Sequence, residues 1–336
     1  MKLRALVGGV VAVVLAVIAG LAFGAASLSP GGVAVELLNL LPGVHLRSGL
    51  DPRQVAIVTQ LRLPRVVLAM LVGAVLSLAG GAYQGVFRNP LADPYLLGVA
   101  AGAGLGVTAF ITLRHAGALP PETPVAAFAG AIVAVALTYL LGGRDRSPAA
   151  LILAGVAVSA FLAAAQTYLL QRNVDDLRAV YSWLLGRLAT AGWHDTLLLL
   201  PYAMISGIVI LLLRRDLDVL TVGDEEAASL GSHPQRSRYI LLAAASLGTA
   251  AAVSVSGLIG FVGVIVPHTV RLLAGYSYRA ILPLSMLYGA AFMVLADLVG
   301  RTVASPAEIP IGVVTAFFGA PFFVLVLRST TRTAAT

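Results

Sequence analysis

One polar stretch, residues 214–236, holds Asp216, Asp218, Asp224, Glu225 and Glu226 beside Arg214, Arg215 and Arg236. Acids and arginines interleaved in this way can pair with one another or with a protein surface. Bond-breaking needs more: a nucleophile, a poised base or a metal in mutual reach. With no cysteine in the chain, a disulfide framework, a thiolate metal site and a thiol nucleophile are all excluded. The five histidines, His45, His115, His194, His233 and His268, never fall four apart, and no H-E-x-x-H occurs. Ser254-Val255-Ser256-Gly257 lacks the histidine and spacing of a serine nucleophile. The chain therefore carries no catalytic constellation and no metal site of its own, and its charges are read as recognition groups.

Within the acidic stretch, Thr221-Val222-Gly223-Asp224 resembles a capping box, the acids fall in a first helical turn, and Gly231 followed by Pro234 supplies a stop. This predicts a short, terminated helix over Gly223–Gly231. Its apolar residues Ala227, Ala228 and Leu230 are too few to hold it in lipid, so it is either a solvated connector or a docking element for a partner. Leu61-Arg62-Leu63-Pro64-Arg65 carries two arginines with no acid within a helical turn. They either snorkel to lipid phosphates or present fixed positive charge to an acidic soluble partner. Arg301 is similarly placed, with Asp297 four residues before it on the same helix face. In Phe87-Arg88-Asn89-Pro90-Leu91-Ala92-Asp93-Pro94 the two prolines force non-helical backbone, and Asn89 can bond the freed groups, making either a tight turn or a constriction.

The elements that must position these residues are membrane spans. The sequence is 59% hydrophobic and 11% charged, with a mean hydropathy of +0.95, against roughly 45–50% apolar and about 25% charged in soluble domains. Apolar runs bounded by charge, Pro or Gly predict helices near 5–26, 64–82, 93–112, 121–141, 149–170, 195–213, 237–256, 258–274, 279–298 and 309–328. The eighth is the weakest, because Gly257, Gly260 and Gly263 precede Pro267 and favour a shorter or re-entrant element. The run 5–26 is too long for a signal-peptide core and is read as a retained helix. The fold class is thus all-α, a polytopic integral membrane protein of about ten helices in one membrane domain, 1–336. Placing both termini in the cytoplasm puts the larger share of the arginines inside, Arg88, Arg144, Arg146, Arg214, Arg215, Arg236 and Arg238 among them. The net charge of +7 is scattered over short loops, which excludes a nucleic-acid surface. Apart from Asp297 the spans hold almost no ionisable residues, which disfavours the alternative of an ion-coupled secondary transporter. A membrane scaffold without transport is the third class.

Five stretches, in order and over nearly the whole chain, resemble the permeases of ATP-binding-cassette importers for cobalamin, ferric siderophores and haem. They are RLPRVVLAMLVGAVLSLAGGAYQGVFRNPLADPYLLGVAAGAG (62–104), WLLGRLATAGW (183–193), GDEEAASLG (223–231), SGLIGFVGVIVPHTVRL (256–272) and EIPIGVVTAFFGAPFF (308–323). The resemblance implies a homodimer of ten-helix subunits in the cytoplasmic membrane, two cytoplasmic ATPase subunits below, an extracytoplasmic substrate-binding protein above, and a metal chelate as cargo. It implies no cofactor in this chain, with ATP and magnesium held by the ATPases. By residue, it makes Gly223, Asp224, Glu225, Glu226, Ala227, Ala228, Ser229, Leu230 and Gly231 the ATPase-coupling helix. It makes Arg62, Arg65 and Arg301 the docking arginines for the binding protein. Asn89, Pro90 and Leu91, with Ser147 and Pro148, become the cytoplasmic gate, although Pro148 and Ala149 replace hydroxyl residues seen in some relatives. Asp176-Leu177-Arg178 resembles a pattern of haem and cobalamin permeases alike, so Arg178 either meets an anionic group of the cargo, caps a helix or faces water.

Overall fold

Once lipid replaces water, an apolar segment must satisfy its backbone groups within itself, and the α-helix does so locally. The computed structural model describes residues 3–24, 26, 28–114, 117–143, 147–188, 192–229, 231 and 233–333, with side chains to residue 324. Lys2, His115, Arg144, Arg146 and Leu230 lie outside the described residues. Among the described residues all regular structure is helical. In order it comprises α1 (Leu3–Ala22), α2 (Pro30–Asn39), α3 (Pro52–Ala56), α4 (Leu63–Val86), α5 (Val99–Arg114), α6 (Thr123–Leu141), α7 (Pro148–Arg172) and α8 (Leu177–Leu184). After these come α9 (Trp193–Leu212), α10 (Arg214–Leu220), α11 (Asp224–Ser229), α12 (Pro234–Ser256), α13 (Val262–Ala274), α14 (Tyr278–Thr302) and α15 (Ile311–Thr333).

Among the described residues seven helical segments are long and apolar enough to cross a bilayer: α1, the continuous run Pro52–Val86, α6, α7, α9, α12 and α14. Three shorter apolar helices, α5, α13 and the Ile311–Val324 part of α15, stand where the remaining spans are expected, so the count agrees roughly with ten. α4 is the central post, packed against α14, α12, α13 and α9, with Leu68, Leu76, Leu78 and Tyr83 wholly buried. Lipid gives apolar side chains no reason to seek one another, so close contact depends on small residues. A methyl group on Gly80 would sit 1.9 Å from the Gly263 carbonyl oxygen, and one on Gly102 2.3 Å from that of Gly130. These two contacts bring α4 onto α13 and α5 onto α6 at backbone distance.

Several boundaries differ from the hydropathy reading. The helix expected near 93–112 begins at Val99, because 87–98 is a chain of turns: Asn89 Oδ1 accepts from the Leu91 amide at 2.9 Å and Asp93 Oδ1 from the Tyr95 amide at 2.8 Å. The first helix ends at Ala22 rather than 26. The second starts at Pro52 rather than 64, where Asp51 and Gln54 cap reciprocally at 2.8 and 3.1 Å, and it passes through a π-helical stretch, Ile57–Arg62. Polar residues Arg53, Gln54 and Gln60 hide that extension from a hydropathy window, though the Asp51/Gln54 spacing signals it. The eighth span is short, as its glycines indicated: the chain leaves α12 at Gly257 and enters α13 through Phe261, both with positive φ, 72° and 69°.

Candidate coupling, gate and docking sites

Antiparallel succession of the spans places the 214–231 loop, the 87–98 turns and the start of α7 at one end of the bundle, and Arg62, Arg65, Arg301 and α8 at the other. At the first end, α10 and α11 are bolted to the spans through two carboxylates. Asp218 of α10 accepts from the Tyr278 amide at 2.5 Å and from the Ser277 hydroxyl at 2.9 Å, satisfying one of the amides that open α14 without a helical partner. Asp224, first residue of α11, accepts from Arg238 Nη2 on α12 at 2.9 Å through each oxygen and pairs with Arg88. Partial burial opposes the charged form of Asp224, but the hydrogen bond and charge of Arg238, reinforced by Arg88, outweigh it and hold the carboxyl below its usual range.

The predicted short helix is therefore present over Asp224–Ser229, without the expected cap. Thr221 does not close a capping box: its hydroxyl donates to the Asp218 carbonyl at 2.6 Å, ending α10. Glu226 instead folds back over Gly223, so close that a Cβ there would meet its Oε2 at 2.0 Å. Ala227 is buried, whereas Glu225, Glu226, Ala228 and Ser229 are exposed. A six-residue helix is thus held by its first carboxylate and one alanine, and its remaining face is left open.

Of the two candidate gate segments, Asn89–Leu91 lies directly beside this element through Arg88, whose Nε donates to the Leu220 carbonyl at 2.7 Å. Ser147 caps α7, its hydroxyl accepting from the Ala150 amide at 3.2 Å, with Pro148 as the first helical residue. The turn after Asn89 reaches α6 and α7: Thr138 Oγ1 donates to the Leu97 carbonyl at 3.0 Å, and a methyl on Gly155 would lie 2.0 Å from the Leu96 carbonyl.

At the opposite end the three arginines converge on one cluster, each with partners inside the chain. Arg62 Nη1 donates to the carbonyls of Leu21 and Ala22 at 2.6 and 3.0 Å, Nη2 to Ala26, and Arg301 donates to the Gly20 carbonyl. Gly20, Leu21 and Ala22 are in the last turn of α1, whose carbonyls lack helical partners, and two buried guanidinium groups complete them with the favourable charge sign, Arg62 also holding the segment just beyond at Ala26. Sequence reasoning missed this role, although the end of α1, Ala19-Gly20-Leu21-Ala22-Phe23-Gly24, offers no polar side chain to cap itself. Arg65 lies between two acids, 2.8 Å from Asp297 and 2.9 Å from Glu308. Asp297 is 2% exposed and also lies 3.5 Å from Arg301, the pairing its spacing foretold; Glu308 is 41% exposed. The hydrogen bond from Arg65 outweighs partial burial and holds the Glu308 carboxyl below its usual range. Arg178 is exposed in the first turn of α8, while neighbouring Asp176 is buried and accepts from the Gly117 amide at 3.1 Å.

Between these ends, α8, the 257–261 segment and α15 enclose an open apolar pocket of about 620 Å³ lined by Leu184, Leu258, Gly312, Val313, Ala316 and Phe317. It contains no charged side chain.

Residues 12–329 match the model of the FecCD transport family. The chain is 42% identical over 300 residues to the cobalamin import system permease protein BtuC of Halobacterium salinarum, covering 89% of this chain and 80% of that one. It is 38% identical over 336 residues to the Fe(3+)-citrate import system permease protein YfmE of Bacillus subtilis, covering 98% and 96%. A solved structure of a metal-chelate type ABC transporter in an inward-facing conformation superposes with a TM-score of 0.85 at 31% identity, over 97% of this chain and 99% of that one.

Proposed function

Because this chain belongs to the FecCD transport family, we propose that it is the permease subunit of an ATP-binding-cassette importer that carries a metal chelate across the cytoplasmic membrane. The observation that carries the reading is α11: a short helix fastened to the spans by Asp224 and Ala227 while Glu225, Glu226, Ala228 and Ser229 face outward. A helix stopped after six residues and pinned from behind is suited to insertion into a cleft of another protein, here an ATPase gripping Gly223–Gly231.

Residues 1–336 act as one permease domain with both termini in the cytoplasm, at the α11 end. Two copies face each other across a two-fold axis, and the apolar pocket between α8 and α15 belongs to the pathway between them. Small uncharged walls suit a bulky cargo that must pass without being held tightly, so direction comes from alternating access imposed by the ATPases. The chain holds no cofactor and performs no chemistry; ATP and magnesium are bound by the two ATPase subunits. The relatives named for cobalamin and ferric citrate share a large, partly polar metal chelate as cargo, and that is the substrate class. Asn89, Pro90 and Leu91, with Ser147 and Pro148, close the pathway on the cytoplasmic side, and Arg178 meets anionic groups of the cargo at the outer mouth. The binding protein docks over the Arg62, Arg65 and Arg301 cluster. Since Arg62 and Arg301 are engaged with α1, a partner carboxylate meets Arg65 in competition with Glu308.

The test is reconstitution. The permease is expected to retain a stoichiometric ATPase through residues 223–231, and uptake of a cobalt or ferric chelate from its binding protein is expected to stop when ATP is withheld. Accumulation by the isolated permease, driven by an ion gradient alone, would reject the reading in favour of a secondary transporter.

A further inference from the structure

One chain of hydrogen bonds runs from α11 to the turn after α4. Arg88 has φ of 50°, in the left-handed region that few non-glycine residues adopt. Its guanidinium holds both ends of the short connection between α10 and α11: Nε donates to the carbonyl of Leu220, last residue of α10, at 2.7 Å, and Nη2 pairs with Asp224, first residue of α11. The far side of the Asp224 carboxylate is held by Arg238, which is 4% exposed and so fixed by its packing in α12. The residue after Arg88 is Asn89, whose side chain accepts from the Leu91 amide and shapes the turn.

Stability is a weak explanation for this arrangement. Arg88 and Asp224 are each about two-fifths exposed, and ion pairs that open to solvent contribute little. The left-handed φ of Arg88 itself closes α4, its amide and that of Asn89 donating to the carbonyls of Gly85 and Gln84 at 3.3 and 3.1 Å, so the case for a link rests on the guanidinium contacts. The α10–α11 element has other anchors, Asp218 on α14 and Asp224 on Arg238, so Arg88 is not needed to keep it in place. What Arg88 adds is a link to the 88–91 turn.

We propose that Arg88 is a positioning residue that ties the coupling helix to the gate turn, so that displacement of α11 by an ATPase moves Asn89–Leu91 with it. The inference rests on the reading of Gly223–Gly231 as the ATPase contact. The pair travels as one body through the cycle, with Arg238 setting its resting position.

The experiment uses the complete assembly of permease, ATPase and binding protein in proteoliposomes. It measures chelate imported per ATP hydrolysed, ATPase retained on purification, and the unfolding temperature of the permease. Arg88→Gln is expected to keep the ATPase bound and hydrolysing and to leave unfolding unchanged, while import per ATP falls about tenfold, within the range for energetic coupling through a packed network. Arg88→Lys, which restores the charge pair but not the fork onto Leu220, is expected to recover part of the loss. Wild-type import per ATP in Arg88→Gln, with the ATPase bound, overturns this inference alone. Parallel loss of stability, ATPase binding and uptake assigns Arg88 a structural role and overturns it too. Failure of the wild-type permease to retain any ATPase overturns both this inference and the function it rests on.

Discussion

Arg65 on α4 and Asp297 on α14, 232 residues apart in sequence, are joined by Nε and Nη2 of the one donating to Oδ1 of the other at 3.0 and 2.8 Å. Asp297 is the counter-ion for Arg65 and Arg301 together, at the point where α1, α4 and α14 meet. Removing it leaves Arg301, only 6% exposed, without its counter-ion, and breaking such a buried pair costs about 3–5 kcal/mol. Asp297→Ala is therefore expected to lower the unfolding temperature of the detergent-solubilised protein sharply, whereas Glu308→Gln, losing a pair that opens to solvent, costs under about 1 kcal/mol. Equal effects of the two substitutions would show that the burial difference does not set their energies.

Glu308 also occupies the arginine best placed to meet an acidic partner. If the binding protein docks through Arg65, Glu308→Gln is expected to raise its affinity for the reconstituted permease a few-fold at low salt, mainly through the association rate, and the gain should shrink as salt is added. An affinity that ignores both substitution and salt would place docking elsewhere. Charge reversal at Arg62 is expected to act differently, by freeing the end of α1 and destabilising the permease itself.

The contact between α4 and α13 leaves no room for a side chain at Gly80. Gly80→Ala must push the helices apart, at about 1–3 kcal/mol as in other overpacked interiors. Gly260→Ala, at a position where an added Cβ meets nothing within 4 Å, is the control. Thermal unfolding in detergent compares them, and similar curves would contradict the close approach.

The Asp224 carboxyl lies below its usual range because of Arg238 and Arg88. A depressed folded-state value means that its contribution is complete above the unfolded carboxylate value of about 4 and is lost as pH falls through the lower folded value. ATPase retention by the wild-type permease is accordingly expected to be flat between about pH 6 and 8 as far as this group is concerned. Asp224→Asn, which lacks the charge at every pH, should be weaker across that whole window. A variant equal to wild type at neutral pH would remove Asp224 from the anchoring of α11.

What the sequence determined by itself was local. The seven spanning helices and three shorter apolar ones among the described residues were readable because a bilayer imposes a length and a composition on each segment separately. The short helix over 223–231 and the broken backbone around Asn89 were readable because glycine, proline and clustered acids punctuate the chain within a few residues. The Asp297–Arg301 contact was foreseeable for the same reason, since helical periodicity fixes it. The error at Thr221 was also local, its hydroxyl turning back to the Asp218 carbonyl to end α10 instead of opening α11. Tertiary structure alone decided that Arg62 and Arg301 cap α1, that Arg65 is shared by Asp297 and Glu308, and that Asp224 joins Arg88 to Arg238. Each of these depends on which spans become neighbours, and hydropathy says only that a segment lies in lipid. Small-residue contacts such as Gly80 against Gly263 choose the neighbours, and only then do the charges find their partners.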